Sequence, residues 1–329
     1  MNFSVIICCY NSEARLPETL QYMAKQQVPD GVQWELIIVD NNSTDKTQEV
    51  ATAEWEHAGK PVTMKIVNEP NAGLSYARHK GVQESSFEYI IFCDDDNWFY
   101  PDYIALSVDI FKANPRVKII GGQGLPVYEK EPEKWFTDNK LVQGLATGKL
   151  MEKSGIITHK RAYVYGAGMV MDKSLFNTII QKPFLLEDRK GKNLTSGGDL
   201  EICYRAILQG YDIWYEDAMK FYHYIPDGRC SLSYQLRLAY GKGYSAAFLR
   251  IYTLVVTNHE YVNRNNVWVR ILYRKLKSFI RQNIFKINAN PDPNMYEIEK
   301  CGLKGYIKGH LSMAFSFGKI LEDLKRERK

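Results

Sequence analysis

Three runs of apolar, partly β-branched residues, 3–9 (FSVIICC), 36–39 (LIIV) and 89–93 (YIIFC), are apolar at successive positions rather than at alternate ones. A strand that is apolar on both faces must be covered on both faces. That restricts this part of the chain to a sheet with helices packed above and below it. Helical patterns fall between the runs at 14–27, 46–57 and 74–84, and 63–67 (TMKIV) reads as a weaker strand. Ser43, Thr44 and Asp45 supply side-chain oxygens to cap the second helix. The order β-α-β-α-β-α-β predicts an α/β fold built on a doubly wound, mostly parallel sheet.

Beyond residue 100 the spacing predicts a helix over 103–114, strands at 117–120, 163–171 and 212–215, and a helix over 199–208. Residues 123–161 lack periodicity and carry Pro126, Pro132 and several glycines, as expected of a loop-rich insertion over the sheet. From about 232 the reading is helical. The 329 residues therefore divide into an expected catalytic domain over 1–230 and a helical C-terminal region over 231–329.

Charge divides along the same line. From Arg229 to the end there are 19 Lys or Arg against 7 Asp or Glu, whereas the preceding residues carry 24 against 31. An acidic front and a basic tail imply different partners for each. The six cysteines form no C-x-x-C pair, and Cys8, Cys9 and Cys93 lie within strand-like runs. They read as packed, reduced thiols of a cytoplasmic protein. No secretory signal and no run of roughly 20 apolar residues is present, so a soluble or peripheral protein is expected.

In an open α/β sheet ligands bind at the carboxyl ends of the strands. The first strand is followed by Tyr10 and Asn11, the second by Asp40-Asn41-Asn42-Ser43, and the fourth by Asp94-Asp95-Asp96-Asn97. Three consecutive aspartates at the end of a buried strand repel one another, and a divalent cation relieves the conflict. Oxygen ligands suit Mg²⁺ or Mn²⁺, which also take substrate phosphates. The segment after the first strand, CCYNSE, has no G-x-G-x-x-G, and no P-loop pattern occurs, so a dinucleotide or P-loop enzyme is not indicated.

The ordered set SVIICCYNSE, ELIIVDNNSTDKT, NEPNAGLSYARHKG and IIFCDDDNWFYPDY, over residues 3–103, resembles the family-2 glycosyltransferases of the GT-A fold. GGDLEICYRAILQGYDIWY and FYHYIPDGR extend the likeness to about 245. The resemblance implies a nucleotide-sugar donor, a Mn²⁺ or Mg²⁺ cofactor, and inversion at the transferred sugar. It implies that Tyr10 stacks on the base, that Asp40 accepts from a ring N–H, and that Arg78 lies near the pyrophosphate. Asp94 and Asp96 match the D-x-D acids, Asp96 as metal ligand and Asp94 on the ribose or the metal. His223 corresponds to the histidine that completes the metal or diphosphate site, and Arg229 is placed to neutralise the leaving phosphate. Asp199 matches the second acid of the family's E-D motif and is the implied general base. Gly198 stands where the family usually has Glu, so Glu201 is a further candidate for that task. A UDP-linked donor and a glycan or lipid-linked oligosaccharide acceptor, in surface polysaccharide synthesis, complete the expectation.

Two other readings share these features. A sugar-phosphate nucleotidyltransferase would share the sheet and the acids, but usually carries a Gly-rich basic loop where this chain has CCYNSEARLPE. A catalytically inactive nucleotide-sugar binding protein would follow from Gly198. In the tail, residues 261–291 carry seven basic residues and no acid, with Trp268, Ile271, Leu272, Leu276, Phe279, Ile280 and Ile284 at helical spacing. This is a basic amphipathic helix, suited either to an anionic membrane surface at the inner face or to packing on the rest of the chain. No nucleic-acid recognition motif accompanies it, and no nucleic-acid partner is expected.

Overall fold

The structure is a computed structural model and describes residues 1–157, 162–186, 194–257, 266–281 and 292–328. The chain forms two compact units that interleave in sequence: Met1–Glu129, Val142–Pro183 and Tyr211–Ile225 make unit 1, and Lys130–Leu141, Phe184–Gly210 and Pro226–Lys329 make unit 2. This partition differs from a single boundary near 230, because residues 184–210 cluster with the C-terminal helices.

Unit 1 carries the sheet. Its strands are β1 (Phe3–Cys9), β2 (Trp34–Asp40), β3 (Met64–Asn68), β4 (Tyr89–Asp94), β5 (Asn97–Phe99), β6 (Val117–Tyr128), β7 (Gly155–Ile156), β8 (Val170–Asp172) and β9 (Asp212–Ile225). Their order is β3-β2-β1-β4-β8-β6-β9-β5, with β7 on β9. The first four strands pair in parallel; the central residues of β1, β2 and β4 are fully buried, as doubly apolar runs require, while the edge strand β3 is largely intermediate or exposed. The helices of this unit are α1 (Leu16–Met23), α2 (Thr47–His57), α3 (Leu74–Glu84), α4 (Tyr103–Ala113) and α6 (Lys173–Ile179).

The second half of the sheet departs from expectation. Only 170–172 of the run expected over 163–171 pair as a strand, joining β4 and β6 antiparallel. The preceding residues are buried, but Gly168 takes φ +79° and its carbonyl accepts from the Tyr103 hydroxyl at 2.6 Å, which breaks the extended path. Conversely, β6 and β9 run well past their apolar cores. They pair with each other across a register irregularity near Gly121, so the polar and aromatic residues that follow each apolar stretch are held in the ladder.

Unit 2 is helical: α5 (Lys134–Asp138), α7 (Gly198–Leu208), α8 (Asp227–Cys230), α9 (Leu232–Val256), α10 (Val267–Phe279), α11 (Pro293–Ser312) and α12 (Phe317–Glu327). Its spine is α9 against α11. A Cβ on Gly305 would overlap the Tyr240 carbonyl oxygen and one on Gly243 would overlap that of Gly302, so these backbones touch because both helices present glycine there. Trp268 of α10 stacks on His310 of α11 at 4.5 Å between centroids, and Phe279 meets Tyr296. Over the described residues of this segment Val267 and Ile271 are buried and Trp268 and Phe279 meet α11, whereas Ile280 stays 39 % exposed, so part of the apolar face packs within unit 2. Residues 261–265 and 282–291 of that segment, and Ile284 with them, lie outside the described residues.

Candidate active site

Strand register builds the edge of unit 1 at which the site lies. Cys9 pairs with Asp40 and Cys8 with Asp94, so the residues that end β1, β2 and β4 come out side by side. Tyr10 follows at once and is 58 % exposed, its ring open to a stacking partner. Asn11 turns the chain with φ +50°, and its side-chain oxygen accepts from Thr44 N at 2.8 Å, tying the loop after β1 to the loop after β2.

Asp40 is buried, and its carboxylate accepts from Ser43 N at 2.9 Å and from the Gln48 amide. Asn41 clamps the approach to α3: its amide donates to the carbonyls of Glu69 and Asn71 at 2.9 and 2.7 Å, and its oxygen accepts from Gly73 N at 2.8 Å. Gly73, at φ +140°, opens that helix and thereby aims Arg78. The Arg78 guanidinium is buried over the Phe92 ring at 5.0 Å, with Nη2 4.0 Å from Asp94 Oδ1. Asn41 was not singled out by sequence reasoning; its place directly after a buried strand is the signal that marked it.

The three consecutive aspartates separate into different roles. Asp94 is partly exposed beside Arg78. Asp95 turns inward, accepting from the Ser12 hydroxyl and from Arg15 Nη2 at 2.6 Å, while its carbonyl takes the Thr19 hydroxyl at 2.8 Å. Burial, with the Asp96 charge next to it, still pushes the Asp95 carboxyl up to about 6 against the pull of Arg15. Asp96 is 2 % exposed, and its Oδ1 lies 3.5 Å from His223 Nε2. The antiparallel pairing of Asn97 with His223 makes this contact, and the bond from Tyr224 N to the Asp96 carbonyl at 2.9 Å holds it. Two residues far apart in sequence, Asp96 and His223, are thus brought together.

Among the described residues, no group of three or more His, Cys, Asp or Glu side chains converges as a metal centre. Asp96 and His223 together nevertheless fit a shared cation. They present one carboxylate oxygen and one imidazole nitrogen 3.5 Å apart, donor types that a divalent cation accepts. Asp94 has Arg78 for its charge and fits better as a contact to the donor.

Asp199, Glu201 and Arg229 belong to unit 2. Asp199 lies in the first turn of α7, is partly exposed, and accepts from Leu200 N at 2.9 Å. An anion is favoured at that helix end. Glu201 is 0 % exposed. Its carboxylate accepts from Leu185 N and Leu186 N at 2.8 and 2.9 Å, from the Tyr252 hydroxyl at 2.7 Å and from Arg205 Nη2 at 3.0 Å. Burial raises its pKa despite Arg205. A sealed carboxylate with four donors has no route to an acceptor hydroxyl, so Glu201 is corrected here from a candidate base to the knot that ties 184–186 and α7 to α9. Its i,i+4 spacing to Arg205 was the readable signal of that role. Arg229 lies half-buried within α8, its carbonyl accepting from Gln235 Nε2 at 2.7 Å.

The family model described as "Glycosyl transferase family 2" matches residues 4–180. The protein EpsH of Bacillus subtilis (strain 168), named as a glycosyltransferase, is 32% identical over 176 residues, covering 49% of this chain and 49% of its own length. The poly(ribitol-phosphate) beta-N-acetylglucosaminyltransferase TarS of Staphylococcus aureus (strain Mu50 / ATCC 700699) is 26% identical over 159 residues, 46% of this chain and 27% of that protein. The chain thus spans about half or less of these curated relatives. Among solved structures, S. aureus TarS 1-349 in complex with UDP-GlcNAc aligns with a TM-score of 0.58 at 16% identity, over 99% of this chain and 91% of that one. The mannosyltransferase PcManGT from Pyrobaculum calidifontis, in complex with GDP-Man and Mn²⁺, aligns with a TM-score of 0.59 at 16% identity, over 93% and 86%. At these identities the likeness is one of fold, and the fold is GT-A.

Proposed function

The chain belongs to glycosyl transferase family 2, and we propose that it is an inverting, divalent-metal-dependent enzyme that moves a sugar from a UDP-linked donor to a hydroxyl of a glycan or lipid-linked oligosaccharide in surface polysaccharide synthesis. The observation that carries this reading is the convergence of Asp40, Arg78, Asp94, Asp96 and His223 along one strand-register edge. The exposed Tyr10 ring stacks on the nucleobase, and Asp40, already held by Ser43 N, accepts from a base N–H. Arg78, its guanidinium pinned over Phe92, faces the donor diphosphate, with Asp94 beside it for the ribose. Asp96 and His223 would hold Mn²⁺ or Mg²⁺, which when bound would supply positive charge to the departing diphosphate. Arg229 adds charge for the leaving phosphate.

Asp199 is the base. It takes the acceptor hydroxyl proton as that oxygen bonds to the anomeric carbon and the carbon–phosphate-oxygen bond breaks, with the electron pair leaving on the diphosphate. One base and no protein nucleophile make a single displacement, which inverts the anomeric centre. Among the described residues no helix is long and apolar enough to cross a membrane, and a cytoplasmic protein, peripheral at the inner face, fits an enzyme that meets a lipid-linked acceptor. A second reading, a binding protein without turnover, draws on Gly198 in place of the usual acid and on the sealed Glu201.

The test is nucleoside diphosphate release from a panel of nucleotide sugars, with Mn²⁺ or Mg²⁺ and with EDTA. Metal-dependent release from one donor is expected. It should fall roughly a hundredfold or more in Asp96→Ala and in Asp199→Asn, the latter still binding donor. Binding without release, with acceptor glycans present, would favour the binding protein; no binding of any donor would overturn the site.

A further inference from the structure

Asn97, the residue after the three aspartates, is 0 % exposed, and among the described residues neither its Oδ1 nor its Nδ2 has a hydrogen-bond partner. Burying both ends of an amide unpaired is unfavourable, and the local backbone offers no relief. All four carbonyls of the turn are engaged. The Cys93 thiol donates to those of Asp94 and Asn97 at 3.4 and 3.5 Å, the Thr19 hydroxyl to that of Asp95 at 2.8 Å, and Tyr224 N to that of Asp96 at 2.9 Å. A turn held at every carbonyl cannot shift to bring one of them to the amide.

Strand pairing shows where that amide lies. The bonds from Tyr224 N to the Asp96 carbonyl and from Tyr100 N to the Lys220 carbonyl bracket the ladder of β5 and β9, which leaves Asn97 and His223 as a non-hydrogen-bonded pair. Side chains of such a pair share a face, with Cβ atoms about 4.5–5.5 Å apart or closer. Asn97 and His223 are both buried, while the next pair, Trp98 and Tyr222, lies half-buried on the other face. The same imidazole has its Nε2 3.5 Å from Asp96 Oδ1. An unpaired amide therefore stands next in sequence to one of the two side chains assigned to the cation and across the ladder from the other. Mn²⁺ and Mg²⁺ accept carbonyl as well as carboxylate oxygens. Three aspartates already crowd this turn, and a fourth charge would add to their repulsion, whereas an amide supplies an oxygen without charge. We propose, on the metal-dependent reading above, that Asn97 Oδ1 is a third ligand of the cation that Asp96 and His223 would hold.

Mn²⁺ alone, titrated into the full chain and followed by the electron paramagnetic resonance of the free ion, tests this, with thermal unfolding in EDTA and in Mn²⁺ as a second readout. Wild type should bind Mn²⁺ and Asp96→Ala should not. Asn97→Leu keeps the branched shape and removes the oxygen. It should bind Mn²⁺ about tenfold more weakly or worse, unfold near the wild-type temperature in EDTA, and gain little from the ion. Asn97→Asp should have a lower midpoint in EDTA, from the added charge, and a larger rise with Mn²⁺. In a His223→Ala background, Asn97→Leu should still weaken Mn²⁺ binding; a loss that disappears there would mean that Asn97 only orients His223, and overturns the assignment. Wild-type Mn²⁺ affinity in Asn97→Leu, or a Mn²⁺-induced rise in Asn97→Asp no larger than in wild type, overturns it as well. If Asn97→Leu matches wild type while Asp96→Ala loses Mn²⁺, this inference alone fails; if wild type binds no Mn²⁺, the metal-dependent reading fails with it.

Discussion

Glu201 and Asp199 stand two positions apart on one helix and have opposite surroundings. Asp199 keeps part of its surface in solvent at the start of α7, while Glu201 is closed off and bonded to Arg205, Tyr252 and two backbone amides. Removing one partner of a buried ion pair strands the other, at a cost of about 3–5 kcal/mol. Glu201→Ala should lose stability of that order in urea unfolding, and Glu201→Gln, which keeps the shape and an acceptor, should lose less. Donor hydrolysis per folded molecule should stay near wild type in Glu201→Gln; a hundredfold loss there would restore Glu201 as a base. Sequence proximity to a motif could not separate these two acids, because solvent access is set by what packs over the helix.

At the scale of elements, the contact of α9 with α11 rests on glycine. Gly305→Val would drive a side chain into the Tyr240 carbonyl and force the helices apart, at about 1–3 kcal/mol by overpacking, seen as a lowered thermal midpoint. Gly318, in α12 with open space around it, is the control: Gly318→Ala should be neutral or stabilising by roughly 0.5–1 kcal/mol. The contact of α10 with α11 carries a pH dependence. His310 lies between Trp268 and Tyr306, its Nε2 3.0 Å from the Trp268 carbonyl, and burial lowers its pKa below the usual histidine value of 6.5. The unfolded chain therefore binds the proton first, so stability is full above about 6.5 and falls as pH drops from there toward the lowered value. The unfolding midpoint should decline from pH 7.5 to 5.5 more steeply in wild type than in His310→Phe, which keeps the ring stack and cannot titrate.

For the whole molecule, a ligand that binds only the folded state raises its stability, by about 2.7 kcal/mol at a hundred times its dissociation constant. UDP-sugar with Mn²⁺ should therefore raise the thermal midpoint by more than UDP-sugar with EDTA. The difference should vanish in Asp96→Ala, which removes one of the two side chains assigned to the cation, and persist in Glu201→Gln. A rise independent of metal would locate donor affinity in Tyr10, Asp40 and Arg78 alone. The charge asymmetry of the chain acts at this scale too. The cations of the basic tail include Arg270, Arg274 and Lys275, so added salt should weaken any attraction between the tail and an anionic surface.

Local chemistry was sufficient for the parallel half of the sheet. Runs apolar on both faces can only be central strands, so β1, β2 and β4 and the loops that end them were legible to within a residue or two, while the edge strand β3 read only as a weaker strand. The pairing of Asp96 with His223, the inward turn of Asp95 onto Arg15, and the length of β6 and β9 were decided by tertiary structure. Each depends on which strand lies next to which, and polar residues carry no periodicity that reports a neighbour 80 or more positions away. The same holds for the tail. Amphipathic spacing in 267–281 announced a helix with one apolar face, but that Trp268 and Phe279 of that face meet His310 and Tyr296 depends on another helix, which no window along the sequence contains.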